Sequence, residues 1–493
     1  MKRGNGIIMP IFSLPSSYGI GTMGREAYAF ADFLHEAGQR FWQLLPLNPT
    51  SFGDSPYQSL SVFAGNPYFI DIELLIEDGL LTESEAANCK CLGDPRYVDY
   101  EHIYNTRFNL LRIAKERGWK RDFIRVKRFV RENESWLPDY ALFMALKRHF
   151  DMRAWTQWED ADARIRKPEA LKAYRTILKD DIELFTYIQY VFFQQWKRLK
   201  EYVNGLGIQI IGDLPIYVAM DSADVWAEPM QFQLNERYEP TEVAGVPPDY
   251  FSEDGQLWGN PLYRWDKMKE DGFDWWLRRV DGARKLYDVI RIDHFRGIES
   301  YWAVKFGEDT AKNGRWIKGP GMDFVNAVKN AFPGIEIIAE DLGHLTKEVK
   351  NLLKKSGFPG MKVLEFAFGA DEQNDYLPHN YDKNCVCYTG THDNSPLMLW
   401  LEEADSAEAA FAKKYFALNE SEGYNWGIIR GGMGSVADVF IAQMQDYLGL
   451  GEGHRTNAPG IAEGNWRWRM LEGEASRELA ERIRVYTKMY GRI

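Results

Sequence analysis

The sequence of 493 residues predicts an α/β protein built as a (β/α)8 barrel, the TIM barrel fold. Three observations lead to this prediction. Short apolar runs rich in β-branched and aromatic residues recur along the chain, helical patterns separate them, and most of the runs end at Gly, Pro, Asn or Asp. Continuous apolar strands that alternate with helices are typical of a parallel sheet covered on both faces, which favours a barrel.

Seven runs have the length and composition of buried strands. In chain order they are Gly6–Phe12, Phe41–Leu47, Ile208–Tyr217, Val289–Ile292, Ile335–Ala339, Met361–Ala367 and Cys385–Tyr388. We expect an eighth strand near Gly460–Ala462. A doubly wound open sheet is the alternative fold. Its dinucleotide-binding version lacks support, because no G-x-G-x-x-G motif follows a strand with an acidic residue about 20 positions further on.

We predict a single catalytic barrel domain over residues 1–493 that carries two long insertions. Residues 71–204, after the second strand, form a mainly helical subdomain. Its predicted helices are Asn105–Glu116, Arg121–Glu132, Tyr140–Phe150, Lys167–Lys179 and Phe185–Val203. Residues 220–271, after the third strand, are rich in Pro, Gly, Trp and Tyr, so we expect loops that form a lid over a cleft.

Composition excludes several classes of protein. The net charge of −12 argues against nucleic acid as the main partner, because nucleic-acid binding needs concentrated positive charge. No run approaches the ~20 apolar residues that cross a bilayer, so no membrane partner is expected. The four cysteines form two C-x-C pairs, Cys89/Cys91 and Cys385/Cys387, a spacing that favours neither a zinc site nor a disulfide framework. We therefore expect a cytoplasmic protein without a signal peptide.

Four predicted strands lead into a carboxylate at their carboxyl ends. These residues are Asp213 in QIIGDLP, Asp293 in VIRIDHFRG, Glu340 in IEIIAEDLG and Asp393 in YTGTHDN. One acidic residue after a strand is most often a helix cap and carries little information. Four in the same position are more informative, because the carboxyl ends of barrel strands open on one face, where active sites are built.

The neighbours of Asp293 indicate what these carboxylates could do. Alternation along the strand places Arg291 and Asp293 on the same side, and a cation beside a carboxylate lowers its pKa, which would keep Asp293 ionised. An ionised carboxylate and a protonated one, about 5–5.5 Å apart, are what retaining glycoside chemistry needs. A metal site is the rival use of Asp, Glu and His together, but no tight ligand spacing such as H-x-x-x-H is present.

Several motifs occur in the order typical of one family. They are SLPSSYGIGTMG (Ser13–Gly24), GDSPYQSLSVFAGNPYFIDIE (Gly53–Glu73), GDLPIYV, RIDHFRG, AEDLG, THDN and EGNWRWR. Together they resemble the amylomaltases, which are 4-alpha-glucanotransferases or disproportionating enzymes of glycoside hydrolase family 77 in the α-amylase clan. The resemblance spans nearly the whole chain. One departure is Thr456 in RTNAPG, a position that is often Met in the family.

The resemblance implies a role for each matching residue. Asp293 matches the nucleophile, Glu340 the general acid/base, and Asp393 the third carboxylate, which holds sugar hydroxyls and favours a distorted ring. The residues implied to bind the donor sugar are Arg291, Asp213, His294 and His392. The residues implied to line the glucan cleft are Ser55, Tyr57, Trp258, Phe366, Asp371 and Asn465. The resemblance implies no metal and no diffusible cofactor.

We therefore expect an enzyme that moves α-1,4-glucan segments from a maltooligosaccharide, starch or glycogen donor to the 4-hydroxyl of glucose or another α-glucan, by double displacement. The alternative is an α-1,4-glucan hydrolase on the same fold. A lid at Ala244–Tyr263, where Tyr250, Phe251 and Trp258 can stack on sugars, favours transfer because excluding water protects the glycosyl intermediate. A non-catalytic glucan-binding protein fits less well, since all three carboxylates are present. A metal-dependent barrel enzyme is the remaining rival.

Overall fold

The computed structural model describes residues 1–51, 53–248, 252–343, 345–369, 373–461 and 463–493. Within these residues the strands are, in chain order, β1 (Gly4–Ile8), β2 (Phe41–Gln43), β3 (Gln209–Leu214), β4 (Glu242–Val246), β5 (Gln256–Pro261), β6 (Val289–Ile292), β7 (Ser300–Lys305), β8 (Arg315–Lys318), β9 (Glu336–Ala339), β10 (Gly360–Val363), β11 (Cys385–Tyr388) and β12 (Val439–Gln443).

Eight of these strands close into a parallel barrel in the order β1-β12-β11-β10-β9-β6-β3-β2, which confirms the predicted (β/α)8 fold. Apolar side chains from these strands form one buried cluster, which includes Ile8, Phe41, Ile211, Val386 and Ile441. The strands read as continuous apolar runs because one face packs inside the barrel and the other packs against the surrounding helices.

The eighth barrel strand is β12, so the prediction of Gly460–Ala462 for this strand is wrong. All residues of β12, VFIAQ, are buried, and the strand pairs with β1 from Gly4 and Val439 to Ile8 and Gln443. Gly460 has a φ of +83°, a left-handed conformation that a strand does not adopt. Ala462 lies outside the described residues. VFIAQ has the same apolar, β-branched and aromatic signal as the other seven runs.

Helices cover the outside of the barrel and build the first insertion. In chain order they are α1 (Arg25–Glu36), α2 (Ile72–Glu77), α3 (Glu83–Ala87), α4 (Tyr100–Arg121), α5 (Phe123–Glu132), α6 (Leu137–His149), α7 (Ala161–Arg164), α8 (Pro168–Ile177), α9 (Lys179–Gly205), α10 (Ala223–Ala227), α11 (Trp265–Glu270), α12 (Asp274–Leu286), α13 (Arg296–Glu299), α14 (Gly321–Ala331), α15 (Lys347–Ser356), α16 (Leu397–Glu403), α17 (Ser406–Tyr415), α18 (Tyr424–Gly434), α19 (Met444–Leu448) and α20 (Arg477–Met489). No helix in the described ranges has the length and apolar character needed to span a bilayer.

The segment between β2 and β3 is mainly helical and contains α2 to α9. Local sequence signals start two of its helices. The Asp71 side chain accepts a hydrogen bond from the Leu74 N–H at the start of α2, and Thr82 forms a capping box with Glu85 at the start of α3. Its longest helix, α9, packs against β3 and so links the insertion to the barrel.

The second insertion is loop-rich but also contains strands that the sequence analysis did not identify. β4 and β5 form an antiparallel hairpin, which joins β7 and β8 in a four-stranded sheet of order β5-β4-β7-β8. Gly245, Gly255 and Gly259 interrupt the apolar pattern of this hairpin, and glycine in a strand weakens the sequence signal. The candidate lid, Ala244–Tyr263, is largely this hairpin. Tyr250 and Phe251 lie outside the described residues.

Candidate active site

The register of three neighbouring barrel strands brings the predicted carboxylates together. Asp213 of β3 pairs with Arg291 of β6, and Ile292 of β6 pairs with Ala339 of β9. Asp293 and Glu340 are the residues that immediately follow those last two positions. Because the strands are parallel, all of these side chains reach the carboxyl-terminal rim of the barrel, where barrel enzymes carry their active sites.

One buried cation lies between two of the carboxylates. The Arg291 Nη1 atom is 2.7 Å from both Oδ atoms of Asp213 and 3.0 Å from Oδ1 of Asp293. The Asp213 side chain is fully buried, whereas that of Asp293 is 28% exposed. Asp293 is therefore the carboxylate of this group that opens toward the cleft, and Asp213 is the closer partner of the guanidinium.

Opposing effects act on the pKa of Asp293. Burial raises the pKa of Asp293 to about 8, and Arg291 opposes this shift without overcoming it. The physical reason is that the single guanidinium is shared with Asp213, whose negative charge, like those of Glu340 and Asp393, raises the pKa further. Arg291 therefore lowers the pKa of Asp293, while burial and the neighbouring carboxylates raise it.

Glu340 is tied to the Asp293 loop by the backbone. The Glu340 N–H donates to the carbonyl of Ile292, and the Phe295 N–H donates to the carbonyl of Glu340, each at 3.0 Å. The carboxylate accepts hydrogen bonds from the backbone N–H groups of His294 and Leu342, each at 2.7 Å. Burial raises the pKa of Glu340, while Arg291 and these two donors oppose the rise. These hydrogen bonds fix Glu340 against the segment that carries Asp293.

His294 adopts the left-handed conformation, with a φ of +49°, and its backbone N–H points to Glu340. Its ring packs edge-on against Trp258 of β5 at 4.9 Å between ring centroids. Burial, with the nearby Arg296, lowers the pKa of His294 to about 4, so the imidazole is neutral at physiological pH. Trp258 also approaches Tyr217 at 6.1 Å between ring centroids, which connects the β4–β5 hairpin to the barrel rim.

Asp393 enters from the loop after β11 and is held from the far end of the chain. The Asn457 side chain donates to Asp393 Oδ1 at 2.6 Å, and Arg455 donates to the Asp393 carbonyl at 3.1 Å. The neighbouring His392 is almost fully buried, with its Nε2 3.3 Å from Asp393 Oδ1, and burial lowers its pKa. The Asp393 side chain is 44% exposed and therefore available to a ligand.

Tyr57 connects the two sides of the rim. Its hydroxyl donates to Asp213 Oδ2 at 2.6 Å, and its ring stacks on His392 at 5.2 Å between ring centroids with an interplanar angle of 16°. Burial, reinforced by the charge of Asp213, raises the pKa of Tyr57 well above its ordinary value. The phenol is therefore a fixed neutral donor.

In the part of the chain that the structure describes, no three His, Cys, Asp or Glu side chains are grouped so that they could hold a metal ion. The arrangement is instead two linked carboxylates, a third exposed carboxylate, one buried guanidinium and neutral aromatic and imidazole rings.

Comparison with known proteins identifies the family. The profile of the 4-alpha-glucanotransferase family, glycoside hydrolase family 77, matches residues 9–474. The chain belongs to this family. It is 51% identical over 487 residues to a 4-alpha-glucanotransferase of Clostridium butyricum, covering 98% of this chain and 100% of the relative. A 4-alpha-glucanotransferase of Thermus thermophilus is 45% identical over 509 residues, covering 100% of both chains.

A solved structure of the family has the same fold over its whole length. The amylomaltase from Streptococcus agalactiae in complex with acarbose superposes with a TM-score of 0.97 at 42% identity, covering 100% of both chains. Together with the family match, this makes the present chain a glycosyl-transferring enzyme of the 4-alpha-glucanotransferase family that acts on α-glucans.

Four residues implied by the family resemblance are not placed in the carboxylate cluster by the described contacts. Ser55 Oγ accepts from the Tyr57 N–H at 3.3 Å and so supports Tyr57. Phe366 is 36% exposed and packs edge-on against Tyr376 at 5.6 Å. Asn465 bonds the backbone of Ala458 and Ile461, which stabilises a nearby loop. Asp371 lies outside the described residues.

Sequence reasoning missed Asn457 of this 4-alpha-glucanotransferase, although it donates directly to Asp393. The segment RTNAPG that contains Asn457 drew attention only for Thr456, which is buried and accepts a hydrogen bond from Gln445. A polar residue in a Pro- and Gly-containing loop gives no signal of its partner, because the contact joins positions 64 residues apart.

Proposed function

We propose that this chain transfers α-1,4-glucan segments with Asp293 as nucleophile, Glu340 as general acid/base and Asp393 as the carboxylate that holds the sugar hydroxyls. The proposal is supported above all by the backbone link between the Asp293 and Glu340 loops, which holds two carboxyl groups at one rim. A binding protein needs no such pair, whereas retaining chemistry requires it.

The reaction proceeds in two displacements. The Asp293 carboxylate attacks the anomeric carbon, the glycosidic C–O bond breaks, and Glu340 gives its proton to the leaving oxygen. The Glu340 carboxylate then takes the proton of an acceptor hydroxyl as that oxygen attacks the anomeric carbon and Asp293 leaves. Two inversions give net retention of configuration.

The charges around the site support these roles. Arg291 contacts Asp293 directly and opposes the rise in its pKa, so the ionised form of the nucleophile has a partner. Burial raises the pKa of Glu340, which favours its protonated form. A bound glucan displaces water from the cleft. In the transition state the sugar ring becomes positively charged, and this charge stabilises the ionised form of Asp293.

The donors we propose are maltooligosaccharides and longer α-1,4-glucans, and the acceptor group is the 4-hydroxyl of glucose or of another α-glucan. Arg291, Asp213, His294 and His392 would form the donor-sugar site, with the buried Asp213 acting through Arg291. The proposed lining of the cleft consists of Ser55, Tyr57, Trp258, Phe366, Asp371 and Asn465. Transfer rather than hydrolysis is supported by the name 4-alpha-glucanotransferase that the relatives bear and by the packing of Trp258 on His294 beside the nucleophile.

The test is to follow the products of maltotriose over time. We expect glucose and longer oligomers at a constant total of reducing ends. Rising reducing ends, with only maltose and glucose formed, would establish a hydrolase instead. The variant Asp293→Asn should lose at least about 1,000-fold of transfer, because the amide is not a nucleophile. Retention of a tenth of the wild-type rate would refute the assignment.

The matched control is Asp266→Asn, which makes the same chemical change at an exposed position on α11. It should keep wild-type transfer. Both variants should show the far-ultraviolet circular dichroism of the parent, so that loss of activity in Asp293→Asn reports chemistry and not unfolding.

We also propose a cytoplasmic location. It is supported by the four cysteines, Cys89, Cys91, Cys385 and Cys387, which are all free. Unpaired cysteines are typical of reducing compartments. Fractionation of cells that express the full-length protein tests this, and recovery outside the cytoplasm would contradict it.

A further inference from the structure

The β4–β5 hairpin is irregular at the point where it carries Trp258. Residues 243 and 245 of β4 pair with residues 261 and 257 of β5, so a single residue of β4 faces three residues of β5, positions 258–260. We call these three residues the β5 bulge. Gly259 at its centre has a φ of +76°, the left-handed conformation that favours glycine. Bulges of this kind are common next to active sites, where they redirect a side chain.

The indole ring of Trp258 is not tied to the barrel by its own polar atom. Its Nε1 donates to Gln256 Oε1 at 3.1 Å, within the same strand. The ring is half-buried and packs edge-on against His294 at 4.9 Å between ring centroids. Aromatic pairs are individually modest in strength, so the ring keeps this place only if the backbone that carries it is fixed.

Asn260 fixes the β5 bulge to the barrel rim. Its Nδ2 donates to the carbonyl of Val218 at 2.9 Å, and its Oδ1 accepts from Gln58 Nε2 at 3.4 Å. A carbonyl can only accept a hydrogen bond, so Val218 determines the orientation of the amide. Asn260 is 5% exposed, and the bond to Val218 is the shorter of the two and is buried, which makes it the stronger one. Gln58 directly follows Tyr57 in the chain.

The acceptor of this bond lies in a segment that is itself held in place. Val218 is the fourth residue after the end of β3, the strand that carries Asp213. In the same segment, the carbonyl of Ile216 accepts from the hydroxyl of Tyr263 at 2.7 Å and from the guanidinium of Arg279 at 3.0 Å. The β5 bulge is therefore attached to a fixed part of the rim, next to the carboxylates.

We propose that Asn260 is a positioning residue: by fixing the β5 bulge it holds Trp258 against His294, and it thereby sets the ratio of glucan transfer to hydrolysis. His294 directly follows Asp293, so Trp258 lies beside the place where the glycosyl intermediate forms in the proposed reaction. Asn260 touches no reacting atom in this scheme and acts only through Trp258. The inference deepens the proposed function and rests on it.

Transfer and hydrolysis differ only in the acceptor. In transfer, a sugar hydroxyl attacks the anomeric carbon, the bond to Asp293 breaks, and Glu340 takes the hydroxyl proton. In hydrolysis, water makes the same attack and gives its proton to Glu340, so each cleaved bond adds one reducing end. A displaced Trp258 admits water to the intermediate, which an enclosed site protects. Loss of the Asn260 contact should therefore favour hydrolysis.

The test measures the hydrolytic share, which is the rate at which reducing ends appear divided by the rate at which maltotriose is consumed. Asn260→Leu keeps the branching of the side chain without its polar atoms, and Asn260→Ala removes the amide without adding bulk. Leaving a buried carbonyl without its donor costs a factor of about five or more, so we expect the hydrolytic share to rise at least about fivefold in both variants. The control Asn313→Leu, at an exposed position between β7 and β8, should keep the wild-type share.

An unchanged hydrolytic share in a folded Asn260→Ala enzyme would overturn the proposal even if its overall rate fell, because a loss of rate alone reports a general disturbance. Asn260→Ala decides the test if Asn260→Leu does not fold. In a Trp258→Ala background, Asn260→Leu should change the share by less than about twofold, because the residue through which it acts is absent. A multiplicative increase in the double variant would contradict the inference, as would a wild-type share in Trp258→Ala.

Crystal structures of the variants give a readout that does not depend on activity. We expect the Trp258 ring to leave His294 in Asn260→Ala and to keep its centroid distance of 4.9 Å in Asn313→Leu. A Trp258 ring that stays on His294 in Asn260→Ala would count against the proposal. Failure of the proposed function itself would appear elsewhere, in a wild-type enzyme whose reducing ends rise as fast as maltotriose disappears or in an active Asp293→Asn variant.

Discussion

At the scale of single residues, one guanidinium is shared between two carboxylates of the candidate active site. Arg291 is nearly fully buried and contacts two carboxylates, with Asp213 closer than Asp293. The pKa of Asp293 is raised to about 8, because the effect of burial is larger than the opposing effect of the Arg291 charge. A nucleophile must be deprotonated, so kcat/KM should rise with pH up to this pKa in the free enzyme.

Replacing Asp213 by Asn should shift the acid limb of the pH profile, the region in which kcat/KM rises with pH, to lower pH. The change removes a negative charge that raises the pKa of Asp293 and leaves Arg291 to Asp293 alone. We expect the limb of kcat/KM for maltotriose to shift down by roughly one pH unit, whatever the loss in absolute rate. The measurement is the pH profile of kcat/KM between pH 5 and 9.

Tyr57→Phe is the matched control for this prediction. It removes the hydroxyl that donates to Asp213 at 2.6 Å but leaves both carboxylates and Arg291 in place. Its limb should stay close to that of the wild type. An unmoved or upward-shifted limb in Asp213→Asn would mean that Asp213 does not control the ionisation of Asp293.

At the scale of elements, helix α9 organises the loop that carries Tyr57. Gln189 bonds both the N–H and the carbonyl of Gly65, at 2.7 and 2.9 Å. Gln195 bonds the same two groups of Asp71, at 2.7 and 3.1 Å. Both glutamines are buried, and Gly65 packs so closely that a Cβ would lie 2.1 Å from the Phe192 ring. The helical insertion thus fixes the backbone of the Gly53–Glu73 motif.

Gln189→Leu should destabilise the protein without touching the cleft. The substitution leaves two buried backbone groups of Gly65 without partners, which costs about 3 kcal/mol of unfolding free energy. Denaturant unfolding followed by circular dichroism measures the loss.

The control for this prediction is Gln194→Leu, a half-buried position on the same helix that makes neither pair of bonds. It should cost less than about 1 kcal/mol. Equal stability of the two variants would show that α9 does not hold this loop through its glutamines.

At the scale of the whole molecule, one arginine links the first and last strands of the barrel, β1 and β12. Arg492 is fully buried and donates to five carbonyl groups, those of Met433, Gly4, Asp438, Ser435 and Ala437. Gly4 begins β1, and Asp438 directly precedes β12. The segment after α20 therefore joins the first and last strands at the amino-terminal end of the barrel, opposite the carboxylates.

Arg492→Met should lower the stability of the whole barrel and leave catalysis unchanged. Removing five hydrogen bonds to buried carbonyl groups should cost roughly 3–5 kcal/mol. Thermal unfolding measures this loss, and kcat at a temperature well below the transition should equal that of wild type.

Arg484→Met, in α20, is the control for the Arg492 substitution. Arg484 is exposed and donates to one carbonyl group, that of Glu36, at 3.1 Å. It should unfold close to the wild-type temperature. Loss of kcat in a folded Arg492→Met enzyme would show that the contacts of Arg492 affect the active site, contrary to this prediction.

The sequence alone determined the barrel and placed the carboxylates after its strands. A buried parallel strand needs a continuous apolar run, so seven of the eight strands were recognisable, and VFIAQ carried the same signal. Because the residue after a strand lies at the carboxyl-terminal rim, Asp293 and Glu340 could be placed there before any coordinate was known.

Tertiary structure alone decided the charge and the support of those carboxylates. The pKa of Asp293 depends on burial and on the competition of Asp213 for Arg291. The Asp393 side chain is held by Asn457, which lies 64 residues further along the chain. Local sequence encodes strands and turns, whereas desolvation and hydrogen-bond partners arise only when segments far apart along the chain pack together.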